Sequence, residues 1–233
     1  MDLSFVMGFD VDAGKTKFTL DKGVIKAIFL VCIADGIVGL SYGSLATADG
    51  FPFWVPLALS TLVLAGASEF LFIGIVAGGG SPLTAAAAGL LVNARHLPFG
   101  IAVKDLVGRG WRGALGCHIM NDESVVFGIS QPQLAQRRSA FWLCGIGIGL
   151  IWPFTVMLGA AIGQFIPNIS VIGLDAVFPA ILIALIFPAL RKPRTRIPAA
   201  TGAVLSLAVT PFVPAGMPVL FSLLGLLTWR SRK

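Results

Sequence analysis

Seven ionisable residues, Asp35, Glu69, Arg95, His96, Asp122, Glu123 and Asp175, stand inside stretches of sequence that are otherwise apolar. Ser68, Asn93, His118 and Asn121 add uncharged polarity to the same stretches. Five of the 11 acidic residues are placed this way, so they are candidates for binding or proton transfer rather than for solubility. Glu69 lies deep in Leu64-Ala65-Gly66-Ala67-Ser68-Glu69-Phe70, among small neighbours and far from either end of its stretch. It suits binding of a substrate ammonium group or carriage of a proton; the alternative is a structural pair with Arg95 or His96. Arg95, in Asn93-Ala94-Arg95-His96, has a two-pronged guanidinium that can neutralise Glu69 or Asp122, or hold a substrate carboxylate. His96 is of the residue type suited to shuttling a proton; the alternative for the whole tetrapeptide is interfacial anchoring near a helix end.

Asp122 and Glu123 are adjacent, which on a helix points them about 100° apart and argues against a matched acid–base pair. Asn121 or Asp122 before an apolar run suits a helix cap as well as it suits a coupling role. Asp175, ahead of Pro179, reads equally as a cap near the interface or as a binding residue. Asp35 follows Ala34 inside the first apolar stretch and stays open between structure and function. No GxSxG, Walker or HExxH pattern occurs, and with two histidines a multi-histidine metal site is excluded. His118, beside Cys117, reads as a packing residue. No cofactor is implied, and the expectation is a protein that binds and moves a solute rather than an enzyme.

The elements that must hold these residues follow from composition. Apolar residues make up 56% of the 233 and charged residues 12%, against about 45–50% and 25% in soluble domains. So few charges cannot cover a water-facing surface, and lipid is the solvent that fits. A span takes about 20 residues. Eight apolar segments are legible, at 24–46, 53–77, 82–103, 113–128, 139–163, 171–190, 197–210 and 214–229. The expected fold is an all-α integral membrane protein of about six to eight transmembrane helices, broken at Gly and Pro or partly re-entrant. Residues 24–230 form one transport domain, with cytoplasmic tails at 1–23 and 231–233. Residues 1–23 lack the apolar core of a signal peptide.

Thirteen of the 17 Lys and Arg residues fall in four clusters, Lys15/Lys17/Lys22/Lys26, Arg137/Arg138, Arg191/Lys192/Arg194/Arg196 and Arg230/Arg232/Lys233. This is positive-inside patterning, not a nucleic-acid surface. If all eight segments cross, every cluster and both termini lie inside, but the loop 104–112 with Lys104, Arg109 and Arg112 lies outside. If segments three and four both re-enter from the cytoplasmic side, that conflict disappears, and the turn Gly78-Gly79-Gly80-Ser81-Pro82 suits such a path. Gly36, Gly39 and Gly43, and Gly145, Gly147 and Gly149, read either as close helix packing or as broken helices that bind substrate. Cys32, Cys117 and Cys144 read as reduced packing residues.

These motifs, in this order, resemble the AzlC family, the large subunit of branched-chain amino acid exporters. The resemblance runs through Gly39-x-x-x-Gly43, Gly66-Ala67-Ser68-Glu69-Phe70, Val92-Asn93-Ala94-Arg95-His96, Asp122-Glu123-Ser124 and Leu174-Asp175 followed by Pro179-Ala180, and covers about residues 20–230. It implies a secondary transporter of the bacterial cytoplasmic (inner) membrane that exports valine, leucine, isoleucine or other small apolar amino acids, paired with a small hydrophobic AzlD-like subunit. The chain departs from the family pattern at Glu69, where the family usually has Gln, and at Leu97-Pro98-Phe99-Gly100, where it usually has Leu-Leu-Tyr-Gly. Asp35 belongs to none of these motifs. Glu69 and Asp35 therefore keep an alternative open, an ion- or proton-coupled permease or channel for a different small solute.

Overall fold

The computed structural model describes residues 9–12, 15–18, 20–165, 190–214 and 217–228, together with Ile183 and Phe187. Helices dominate it. A short antiparallel hairpin, β1 (Phe9–Asp12) with β2 (Lys15–Phe18), precedes them and is the one departure from an all-α chain among the described residues. Asp21 caps the first helix, α1 (Lys22–Ala48), by accepting from the Gly23 N–H at 2.8 Å. At about 1.5 Å per residue α1 is about 40 Å long. The other long helix is α8 (Leu134–Gly163). Both are long and apolar enough to cross a membrane.

α1 and α8 pack along their lengths in the same direction. Gly36 lies against Ile151 and Thr155, Gly43 against Val156 and Ala160, and Gly163 against Ser44 and Thr47. A Cβ on Gly43 would run into the Val156 carbonyl, and one on Gly159 into the Leu40 carbonyl, so the two backbones touch. Ser44 Oγ donates to the Gly159 carbonyl at 2.9 Å, and Thr47 Oγ1 to the Ala160 carbonyl at 3.2 Å. Small residues with interhelical hydroxyl bonds are the means by which helices associate where water supplies no drive.

The segments between these two helices are not single helices. Segment two divides into α2 (Trp54–Leu62) and α3 (Gly66–Ala77), segment three into α4 (Pro82–Asn93) and α5 (His96–Ala102), and segment four into α6 (Gly110–His118) and α7 (Asp122–Ile129). α3 and α4 pack together as a hairpin, with Gly79 at φ 85° in the turn and Ser81 capping α4 at the Thr84 N–H. α9 (Pro193–Val209) packs on α10 (Met217–Phe221) and the 3₁₀ turns that follow it (Ser222–Thr228), through Gly202 and Gly225. Segment six lies almost wholly outside the described residues, and Arg230, Arg232 and Lys233 lie outside them altogether.

Two expectations need correcting. Within segments two to four the helices do not break at Gly or Pro. They break at Val63–Ala65, at Ala94–Arg95 and at Ile119–Asn121, while Pro153 sits inside an unbroken α8 and Pro198 inside an unbroken α9. The glycines of α1 and α8 are used in packing, and Thr155 Oγ1 donates to the Ile151 carbonyl one turn below in the proline-bearing stretch. Pro98 sits in the first turn of α5, where its missing N–H costs nothing, so the break precedes it. The loop that would lie outside if every segment crossed is instead tied to the start of α8. Arg138 Nε donates to the Asp105 carbonyl at 2.9 Å, and Trp142 Nε1 to the Leu106 carbonyl at 3.0 Å. At the other end of segment four, Gly128 packs against Leu106, Phe141 and the Arg137 carbonyl. Segment four therefore starts and finishes at the basic end of α8.

The α1–α8 contact predicts a graded response to a single methyl group. Gly43→Ala places its Cβ in the Val156 carbonyl and costs about 1–3 kcal/mol. Gly74→Ala on α3, whose Cβ meets nothing, costs nothing or gains helix propensity. Thermal unfolding of the two variants in detergent micelles measures this, and equal melting temperatures would exclude the backbone contact.

Candidate functional site

The three helix breaks converge. Leu64 takes φ 50°, left-handed and costly for a branched side chain, and turns the chain into α3. Its first-turn Glu69 reaches back so that Oε1 accepts from the Ala65 N–H at 2.9 Å, while Ser68 Oγ donates to the Ala65 carbonyl at 3.0 Å. At the second break His96 Nδ1 lies 3.0 Å from the Asn93 carbonyl, and the ring stands edge-on to Phe99. At the third, Asn121 and Ser124 form a capping box. Asn121 Oδ1 accepts from the Ser124 N–H at 2.7 Å, and the Asn121 N–H donates to Ser124 Oγ at 3.0 Å. His118 Nε2 lies 2.9 Å from the Thr61 carbonyl in the last turn of α2, where helix carbonyls lack intrahelical partners.

Between the breaks lies a cavity of about 290 Å³. Its walls are Asp35 and Val38 of α1, Leu64 to Ala67 and Phe70 around the start of α3, Arg95 and His96, Asn121 to Glu123, and Ile148 and Trp152 of α8. Asp35 is near the middle of α1, and Ile148 and Trp152 near the middle of α8, so the cavity sits halfway along the two long helices. Arg95 Nη1 is paired with Asp122 Oδ2 at 2.9 Å, with both side chains about one-third exposed. Asp35 and Glu123 leave the cavity with more carboxylates than cations.

Of the residues singled out from sequence, Asp35, Arg95, His96, Asp122 and Glu123 meet at this cavity. Glu69 does not line it. At 1% exposure it is buried behind the wall, and its second oxygen, Oε2, accepts from Trp152 Nε1 at 3.2 Å. The partner that Glu69 finds is thus Trp152, not Arg95 or His96. Ser68 faces α4 at Gly89, and the buried Asn93 Oδ1 has no partner. Asp175 lies outside the described residues.

Sequence reasoning missed Trp152 and Tyr42. Tyr42 is fully buried, stacked on Trp152 with ring centres 6.0 Å apart and edge-on to Phe70 at 5.0 Å. Trp152 packs on Gly66 and forms part of the cavity wall. Aromatic residues within apolar runs carry no signal of this kind; Asn121 did, as a polar residue at a helix start. The arrangement offers charges of both signs beside an apolar wall. That combination suits a small amphiphilic solute.

The Glu69–Trp152 bond predicts energetic coupling. A double-mutant cycle of Trp152→Phe and Glu69→Gln, read by unfolding in detergent, gives a coupling of about 1–3 kcal/mol, the usual size for a buried bond to a charged acceptor. A coupling indistinguishable from zero would show that Glu69 and Trp152 act independently.

Comparison with known proteins finds relatives for most of the chain. Residues 30–166, which include most of α1, all of α8 and all three breaks, match the family model described as "AzlC protein". A Bacillus subtilis (strain 168) protein named "Branched-chain amino acid transport protein AzlC" is 27% identical over 199 residues, 82% of this chain and 77% of its own length. An "Uncharacterized membrane protein" of Helicobacter pylori (strain J99) is 25% identical over 155 residues, 64% of this chain and 66% of its own. No solved structure matches. The chain belongs to the AzlC family.

Proposed function

We propose that the chain is the large subunit of a two-component secondary transporter that exports branched-chain or other small apolar amino acids across the bacterial cytoplasmic membrane. The observation that carries this reading is the cavity at mid-length of the two membrane-length helices. At about 290 Å³ it falls at the lower end of the roughly 300–1,000 Å³ of small-molecule sites. A zwitterion needs a cation and an anion within a few ångströms of each other, and Arg95 beside Asp35 and Glu123 supplies both. Val38, Leu64, Phe70 and Ile148 line the rest as a branched aliphatic side chain requires. Discontinuous helices whose ends meet at a midplane site are a recurring transporter design. The Bacillus subtilis relative carries a matching name. A small hydrophobic AzlD-like subunit completes the permease.

The described basic clusters support an orientation. α1 and α8 run in parallel, so Lys22, Lys26, Arg137 and Arg138 share one end, and the loop with Lys104 and Arg109 is tied to it. The positive-inside rule makes that end cytoplasmic. Segment four then re-enters from the cytoplasm, and of segments two and three one crosses. With one crossing for each remaining apolar segment, as read from sequence, the crossings number six. Residues 24–230 are the transport domain and both terminal tails are cytoplasmic.

A second reading, an ion- or proton-coupled permease for another solute, is favoured by the surplus of carboxylates in the cavity. Flux decides between the two. In membrane vesicles holding this chain and the small subunit, preloaded labelled leucine, valine or isoleucine leaves several-fold faster than from vesicles lacking the chain. Equal rates would refute amino-acid export. For orientation, Lys104→Cys in a cysteine-free background is expected to resist a membrane-impermeant maleimide in intact cells and to react in inverted vesicles. Labelling in intact cells would place the loop outside.

A further inference from the structure

One polar group at the cavity is used neither by a helix cap nor by the ion pair. Asn121 lines the cavity and is 8% exposed. Its Oδ1 is committed to the Ser124 N–H at 2.7 Å. The amide is planar, so Nδ2 points away from that bond, and Nδ2 is buried with no hydrogen-bond partner. A buried donor left unpaired is destabilising, and the cap does not need it, because Asp or Ser supplies the same capping oxygen. The amide nitrogen is therefore surplus to structure and available to a ligand.

The other groups of the cavity that Asn121 lines identify the ligand. Arg95 lines the same cavity, and its Nε is likewise buried without a partner while Nη1 holds Asp122. α3, of 12 residues, begins at the cavity wall with Gly66 and Ala67. The first N–H groups of a helix have no intrahelical acceptor and carry the positive end of its dipole. These donors converge from three separate helix starts and suit an anion with two or more oxygens, not a neutral solute.

We propose that Asn121 Nδ2, together with Arg95 and the start of α3, binds the carboxylate of the transported solute. This rests on the reading of the cavity as the substrate site. Asp35 and Glu123 then face the ammonium group, and discrimination between an amino acid and its alcohol or amine analogue resides in Asn121.

Asn121→Asp is the decisive variant. It keeps the capping oxygen and replaces the donor with an anionic acceptor of the same shape. Full-length wild type and variant are titrated in detergent with L-leucine, with L-leucinol, which lacks the carboxylate, and with 4-methylpentanoate, which lacks the ammonium group. The wild type is expected to bind leucine at least about tenfold more tightly than leucinol. Asn121→Asp is expected to lose about tenfold or more for leucine, to change little for leucinol, and to keep its melting temperature. If the variant binds leucine as the wild type does, or loses leucine and leucinol alike, the proposal is overturned. If the wild type ignores leucine but binds 4-methylpentanoate in an Asn121-dependent way, the amino-acid reading fails while the carboxylate assignment stands. If no carboxylate binds the wild type, the assignment itself falls.

Discussion

Backbone contact between α1 and α8 is the constraint on which the remaining geometry depends. Two apolar helices in lipid gain nothing by hiding from water in each other. They gain by approaching closely enough for dispersion and hydroxyl bonds to act, and that requires Gly36, Gly39 and Gly43 on one helix and Gly159 and Gly163 on the other. The contact fixes the axial level of Trp152 relative to Asp35 and the tilt of Trp152 toward Gly66. With the two helices parallel, their basic ends coincide, and the intervening segments must start at the far end of α1 and finish at the near end of α8. Half-helices that stop at mid-depth are one way to meet that requirement, and they are what the chain uses.

Stopping a helix within a membrane exposes N–H and C=O groups that lipid cannot satisfy. Each break here carries its own remedy in side chains: Glu69 for the Ala65 N–H, Ser68 for the Ala65 carbonyl, the Asn121–Ser124 box for α7, and His96 and His118 at carbonyls of the other half-helices. The polar residues that stand out in the sequence are therefore of two kinds. Some complete the backbone and others line the cavity. Position at a break makes the two kinds neighbours, which explains why they share motifs such as Asn121-Asp122-Glu123-Ser124.

That mixture decides what was legible from sequence. The apolar segments were legible because hydropathy reports solvent directly, and five polar residues of the cavity were legible because charge in an apolar run needs a reason. The breaks were not. Leu64 has no sequence feature that announces a left-handed conformation, and Ala94–Arg95 reads as helix on both sides. Glycine and proline misdirect because the same residues serve close packing, as at Gly43 and Gly159, or are absorbed within a helix, as at Pro153. Glu69 was legible as important, but its setting was not, because its partner Trp152 lies 83 residues away in an apolar run.

The two charged residues that the sequence made most prominent also differ in a way that bears on transport. Glu69 is almost fully buried and held by two neutral donors, one from the backbone and one from an indole, so moving it would strand a carboxylate in apolar surroundings. Such a group is a fixed support behind the wall, since leaving a buried hydrogen-bonding group without its partner is costly. Arg95 and Asp122 are each about one-third exposed at the cavity, where a pair in partial contact with water contributes little, about 0–1 kcal/mol. On the transport reading, Arg95 can therefore exchange the Asp122 carboxylate for that of an incoming solute at small net cost. On the transport reading, one charge builds the site and the other turns over with each solute, and burial rather than residue type separates the two roles.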